Sequence, residues 1–295
     1  MKDGIKLFPI TRVRESGILE DATDALAVEE PLEIRLNNIP LAVVMRTPGH
    51  DFDLARGFLL TEGILQRANG KGQNIINNAA QSANEFSSLQ VAICNLLPEH
   101  ARDELGLEIP NVINCRLPSI SETEISGWQR HIFASSSCGI CGRASIDRVR
   151  VQARSPSSRW QIPFQILQTL PDKLRQSQTA FARTGGLHAA AFFMPSGEII
   201  AMREDIGRHN AVDKILGWAM RQKELTLENF GLLVSGRLSF ELVQKALIGG
   251  IAFMAGISAA SSLAVELAEE TGLTLAGFLR GETAVVYSNP QRILF

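Results

Sequence analysis

Two thiols three residues apart, Cys138 and Cys141, stand in the run Cys138-Gly139-Ile140-Cys141-Gly142, led in by Ser135, Ser136 and Ser137 and followed by Arg143. From Arg143 to Arg159 there are five arginines and one acid, Asp147. A positive field of that kind lowers the pKa of a nearby thiol, and the thiolate is the form that attacks. The segment reads as a setting for reactive sulfur. Three other readings of the pair stay open. Half of a structural zinc site needs two more ligands, yet Cys94 and Cys115 stand alone and the five histidines show no ligand-type spacing. A thioredoxin-like dithiol opens a helix within a βαβ pattern, whereas this Ser/Gly-rich approach and the later Ser155-Pro156-Ser157-Ser158 read as loop. Free cysteines are also often inert, small core residues.

A second group of residues suits anions. Glu204-Asp205-Ile206-Gly207-Arg208-His209-Asn210 runs into a predicted helix N-terminus, where free N–H groups, the helix dipole and Arg208 together favour negative charge. Ser235-Gly236-Arg237 repeats the arrangement, and Gly185-Gly186 lies not far off in sequence. The competing reading makes Arg208 and Arg237 surface partners of Glu204 and Asp205. Two such turns in one region point instead to a phosphate-bearing ligand.

These residues need a scaffold, and the 295-residue chain, 45% hydrophobic, is long enough for two domains. Its net charge of −2 excludes a globally basic nucleic-acid coat, although a local basic groove stays open. The first residues carry Lys2, Asp3, Lys6, Arg12, Arg14 and Glu15 without the apolar stretch of a signal peptide, and the small-apolar run from Gly249 to Ala260 is too short to span a bilayer. The expectation is a cytoplasmic protein of a reducing compartment, acting on neither membrane nor nucleic acid.

The N-terminal part, residues 1–130, reads as a small α+β domain. Residues 31–46 alternate about Asn37-Asn38, which predicts a β-hairpin. A helix is expected over 51–65, an exposed polar insertion near 69–88 and a strand over 89–96. In residues 131–295 helices alternate with strands. A helix over 161–175 should be interrupted near its end by Pro171, and 189–194 should pair with 199–203 through Pro195-Ser196-Gly197. The next helix should start at Asn210 as N-cap, with Asp213 favourable to its dipole and Ala211, Val212, Ile215, Leu216, Ala219 and Met220 on one face. A strand over 232–234, a helix from about Phe240 to Ala255, a helix over 261–270 closed by Gly272, and a hairpin about Gly281-Glu282 complete an α/β three-layer pattern.

Several stretches together resemble the FdhD family, the formate dehydrogenase accessory sulfurtransferases: Ser137 to Gly142, Thr184 to Ala190, Glu204 to Lys214, Ser235 to Ala246, and, near the start, Glu29 to Asn37 and Arg46 to Gly63. The resemblance covers nearly the whole chain apart from about ten initial residues and the polar insertion. It implies a cytidine deaminase-like α/β/α domain with a mixed sheet beside the smaller N-terminal domain. It implies a sulfurtransferase with a cysteine persulfide intermediate, which accepts sulfur from an IscS-like cysteine desulfurase. The sulfur goes to the molybdenum or tungsten bis(molybdopterin guanine dinucleotide) cofactor, a bound substrate, before that cofactor enters the formate dehydrogenase catalytic subunit. Cys138 would carry the persulfide and Cys141 would be an accessory thiol. The cofactor-binding turn would fall on Phe278, Leu279, Arg280, Gly281, Glu282 and Thr283, with Arg208, His209 and Arg237 as further candidates; a homodimer is implied, and no protein-bound metal. The deaminase likeness raises a rival, but Ser137 stands where a zinc deaminase has proline before its Cys-x-x-Cys, and no His-x-Glu precedes it. A non-catalytic chaperone that only holds the cofactor is the remaining alternative.

Overall fold

The computed structural model describes residues 4–15, 17, 19–67, 96–118, 120–133, 156, 158, 160–222 and 227–295. Cys94, Cys138, Cys141, the polar insertion, most of the expected strand over 89–96 and the arginines 143–159 fall outside them. Strands β1 (Ile5–Val13) and β2 (Leu19–Ala27) form a two-stranded antiparallel ribbon. The predicted hairpin follows as β3 (Glu30–Leu36) and β4 (Ile39–Arg46), with Asn37 and Asn38 both at positive φ, as a two-residue turn of the twist-matched type requires. Asn37 is pinned from both sides: its Nδ2 donates to the Leu117 carbonyl at 2.9 Å and its Oδ1 accepts from the Leu117 N–H at 2.8 Å.

Helix α1 (Asp51–Thr61) stops short of the expected end, because Gly63 at φ 71 turns the chain into the single-turn α2 (Ile64–Arg67). Strands β5 (Leu97–Arg102) and β6 (Glu108–Arg116) complete a four-stranded sheet of order β4-β3-β6-β5, and α3 (Glu122–Phe133) follows.

The short β7 (Ile162–Pro163) leads into α4 (Phe164–Ser177), α5 (Thr179–Thr184), β8 (His188–Phe193) and β9 (Ile199–Asp205). The chain continues through α6 (Arg208–Ala219), β10 (Gly231–Val234), α7 (Phe240–Ile248), β11 (Phe253–Gly256), α8 (Ser262–Thr271), β12 (Thr274–Arg280), β13 (Thr283–Ser288) and β14 (Ile293–Leu294), the last paired with β7. These strands make a mixed six-stranded sheet, β13-β12-β11-β10-β8-β9, in which β10, β11 and β12 run parallel. Alternate residues feed two cores. Phe192, Leu232 and Met254 join the cluster that holds α6, α7 and α8, whereas Phe193, Leu233 and Phe253 join Leu167, Leu170 and Leu174 of α4. A sheet covered on both faces is the expected three-layer arrangement. The first of these clusters also contains Leu32, Ile34, Leu54, Phe58 and Leu59, so it runs without a break into the N-terminal sheet.

Four expectations are corrected. Helix α4 passes through Pro171 to Ser177: three fully buried leucines, each worth about 1.5–3 kcal/mol, outweigh the roughly 3 kcal/mol cost of an internal proline. The helix expected to run to Ala255 ends at Ile248, where Gly250 adopts φ 79, and 253–256 is a strand. A fully buried apolar run does not reveal by periodicity which of the two it is. Gly207, not Asn210, is the N-cap of α6. With the helix starting at Arg208, Asp213 lies beyond its first turn, where the dipole acts little; it is 2% exposed and paired with Lys245 at 2.8 Å.

The two sheets meet where α1 crosses α6 on glycine. A Cβ added at Gly57 would overlap the Asp213 carbonyl, and one added at Gly217 would overlap the Asp53 carbonyl. Buried charge reinforces the crossing, since Lys245 and the Thr61 hydroxyl both donate to Asp213 at 2.8 Å. Among the described residues no helix is long and apolar enough to cross a membrane.

Candidate functional site

The carboxyl ends of parallel strands β10, β11 and β12 point to one rim, the place where α/β sheets bind ligands. The loops that leave them are laced together by backbone. Ile257 donates to the Val234 carbonyl at 3.2 Å, Leu238 to Ala259 at 2.9 Å, and Phe278 to Ser258 at 3.1 Å. Ser235 ties the same rim to the start of β8, its hydroxyl oxygen accepting from the Ala189 N–H at 2.9 Å.

The turn into α6 is set by Asp205, which is fully buried. One carboxylate oxygen accepts from the Gly207 N–H at 2.8 Å and the Asn210 amide at 3.0 Å; the other meets Lys214 at 2.7 Å and accepts from the Thr47 N–H at 3.2 Å. Glu204 caps α5 by accepting from Ala180 at 3.1 Å and Phe181 at 2.8 Å. Both acids are therefore committed elsewhere. Among the described residues neither Arg208 nor Arg237 has a carboxylate within ion-pair distance, and the reading that made them partners of Glu204 and Asp205 falls away. Gly185, at φ 65, serves as the C-cap of α5.

Arg208 and His209 occupy the first turn of α6, and Arg208 faces Gly236 beside His188 at the start of β8. A Cβ at Gly236 would stand 3.4 Å from His188 Nδ1 and 3.5 Å from Arg208 Cβ. His209 has its pKa pushed down to about 4, by burial first and then by Lys245 and Arg208. His188 is also lowered, by burial and then Arg208. Arg237 is exposed. The site is a cationic rim with two imidazoles held neutral.

At the other end of the rim, Phe278 is 37% exposed and sits at φ 50, a conformation costly for a bulky side chain. A register shift between Gly277 and Arg280 makes a bulge that turns the ring outward, with the Arg280 guanidinium 5.5 Å above it. Leu279 is 1% exposed within the α4-side core. Gly281 and Glu282 form the exposed turn, and the Thr283 hydroxyl donates to the Arg280 carbonyl at 3.2 Å. The flat ring with its cation can stack a planar group, and the basic rim can take phosphates. Sequence reasoning gave His188 and Ser239 no role. Ser239 immediately before an apolar helical run was a legible N-cap, whereas His188 at the start of a strand carried no local signal.

A profile of the FdhD/NarQ family matches residues 27–294. A Streptomyces coelicolor protein named "Sulfur carrier protein FdhD" is 46% identical over 96% of this chain and 94% of its own length. A Saccharolobus solfataricus protein of the same name is 35% identical over 98% of both. The crystal structure of a Desulfotalea psychrophila protein described as a formate dehydrogenase accessory protein superposes with a TM-score of 0.70, covering 98% of this chain and 99% of that one at 21% identity.

Proposed function

The chain belongs to the FdhD/NarQ family, and from that premise we propose that it is a sulfur carrier for formate dehydrogenase. In this reading Cys138 attacks the persulfide of an IscS-like cysteine desulfurase as a thiolate, takes its outer sulfur and releases the desulfurase cysteine. The outer sulfur then passes to a molybdenum or tungsten bis(pyranopterin guanine dinucleotide), the substrate, on its way to the dehydrogenase: a thiol attacks the Cys138 sulfur, the S–S bond breaks, a disulfide forms and the outer sulfur leaves at the sulfide level. Cys141 assists as a second thiol. The carrier works in the cytoplasm as a homodimer.

The observation that carries this reading is the similarity, over nearly the full length, to proteins named as sulfur carriers. The chemistry of the rim supports it. A guanine dinucleotide offers a flat base to Phe278 and Arg280 and phosphates to Arg208 and Arg237. The order of an antiparallel pair β9-β8 followed by three parallel strands supports placing the larger sheet in the cytidine deaminase class. Cys115 does not compete for sulfur: it is wholly buried and its pKa is raised to about 12 by that burial.

The test is intact-mass analysis after incubation with a cysteine desulfurase and cysteine. One added sulfur atom is expected on the wild type and on Cys141→Ser, and none on Cys138→Ser. If Cys138→Ser still matures an active dehydrogenase while Cys141→Ser does not, the two roles are reversed. If both mature it fully, the protein is a cofactor-holding chaperone.

A further inference from the structure

Asp53, buried in the first turn of α1, is surrounded by more positive charge than one carboxylate balances. Arg221 reaches both of its oxygens, with Nε 2.8 Å from Oδ1 and Nη2 donating to Oδ2 at 3.1 Å. Arg203 of β9 donates to Oδ2 at 3.3 Å, Arg56 Nη1 stands 3.8 Å from Oδ1, and His50 Nδ1 stands 3.9 Å from Oδ2. Three guanidiniums thus meet one acid. Among the described residues no other carboxylate lies within ion-pair distance of Arg56, Arg203 or Arg221. One cation is enough to pair a buried carboxylate; two are surplus, and like charges this close repel. The donors are under-used as well. The Arg56 guanidinium makes no hydrogen bond to a described residue, and the His50 ring makes no capping bond although it stands at the N-cap of α1. Nε of Arg203 is sealed without a partner, and its Nη1 turns back on the Met202 carbonyl at 2.8 Å.

The cluster is open to solvent on one side, since His50 and Arg221 are each about half exposed. The half-buried Trp218 ring lies beside it, 5.9 Å from the Arg203 guanidinium. It is also remote from the rim. Asp53 abuts Gly217, nine residues along α6 from Arg208, which is about 13 Å of helix. A free ion on so open a surface is hydrated and screened, whereas a carboxylate carried on a docked chain also brings apolar area to the tryptophan. Arginine and tryptophan are the residue types that dominate the energetics of protein interfaces. We propose that His50, Arg56, Arg203 and Arg221 about Asp53, with Trp218 beside them, dock an acidic segment of a partner protein, whose carboxylates supply the negative charge the cluster lacks. The surplus cations are then complementary to the partner and cost the free protein stability.

Calorimetry with a capped hexaglutamate peptide, at ionic strengths of about 50 mM and about 300 mM, reads the docking. The wild type should bind it, more weakly at the higher salt. Arg56→Gln should bind about fivefold more weakly, and Arg56→Lys, which keeps the charge, close to wild type. Arg102→Gln, which removes an exposed charge paired with Glu108, should bind as the wild type does. Urea unfolding of the same proteins separates docking from a purely structural clamp: Arg56→Gln should unfold at the wild-type midpoint or above it, because it relieves repulsion. A lowered midpoint would make Arg56 a structural partner of Asp53 and overturn the proposal. Failure of the peptide to bind, indifference to salt, or equal binding of capped hexaglutamine would overturn it too. Sulfate that binds as tightly as the peptide would mark a site for small oxyanions instead of a docking surface. Peptide binding lost in Arg208→Gln but kept in Arg56→Gln would move the acidic segment to the rim and defeat the assignment.

Discussion

Glycine-to-alanine substitution should have opposite signs at Gly217 and Gly127, although both lie inside helices. In a helix interior alanine is favoured over glycine by about 1 kcal/mol, mainly through backbone entropy. Gly127 of α3 has nothing within 4 Å of an added Cβ, so Gly127→Ala should recover most of that gain. At Gly217 the Cβ meets backbone of the facing helix, near the carbonyl of Asp53, and backbone cannot rotate aside as a side chain would. The helices must part, and the packed face of Leu54, Ala55, Phe58, Val212 and Leu216 parts with them. Overpacking of a core costs about 1–3 kcal/mol, and a rigid obstacle belongs at the upper end. After the propensity gain, Gly217→Ala should lose about 2 kcal/mol, leaving the two variants roughly 3 kcal/mol apart. Urea unfolding followed by tryptophan fluorescence measures both, with the midpoint shifting in opposite directions and the slope unchanged. A Gly217→Ala protein as stable as wild type would refute the backbone-on-backbone crossing.

The Lys214–Asp205 pair is almost wholly buried, so Lys214→Met leaves an uncompensated carboxylate and should cost about 3–5 kcal/mol in the same unfolding assay; a loss below about 1 kcal/mol would mean that Asp205 is solvated. His209 has a folded pKa of about 4 against an ordinary 6.5, so the unfolded chain binds the extra proton first. Its contribution, about 3 kcal/mol, is present above pH 6.5 and is lost as pH falls towards 4. His209→Gln should flatten that part of the stability profile, and an identical slope in both proteins would contradict the burial. Cys115 should resist iodoacetamide in the native protein at pH 8 and react once urea unfolds it; rapid native alkylation at Cys115 by peptide mapping would contradict its sealed position.

How much was legible in the sequence depended on how local the signal was. The Asn37-Asn38 hairpin and α8, with Ser261 accepting from the Ala264 N–H and Gly272 in the left-handed region, follow from neighbouring residues alone. Strand β6 contains Pro110 and finds its parallel partner β3 more than seventy residues away, so nothing adjacent marks it. The ribbon of β1 and β2 is exposed along most of β1 and gives no hydrophobic alternation. Charge was the least legible property. Asp213, Lys214 and Lys245 look like an ordinary solvated helix face, and only the crossing of α1 with α6 explains why they are buried. In the site, Arg208, His209 and Arg237 could be singled out because a glycine turn before a helix offers free N–H groups to an anion, and two such turns occur close together. Ser239 and His188 matter through tertiary placement, and the thiols at 138 and 141 lie beyond the described residues.

The glycine-on-backbone crossing also dictates an order of events during synthesis. Helix α1 is complete at Thr61, but the surface it must lie against is not finished until Ala219. At about 5–20 residues per second the ribosome takes roughly 8–30 seconds to make the intervening stretch. During that interval the side of α1 that carries Asp53, Gly57 and Thr61 lacks the helix it lies against. A stop codon placed between the two helices should therefore yield not a small folded fragment but a substrate for holdase chaperones and proteases.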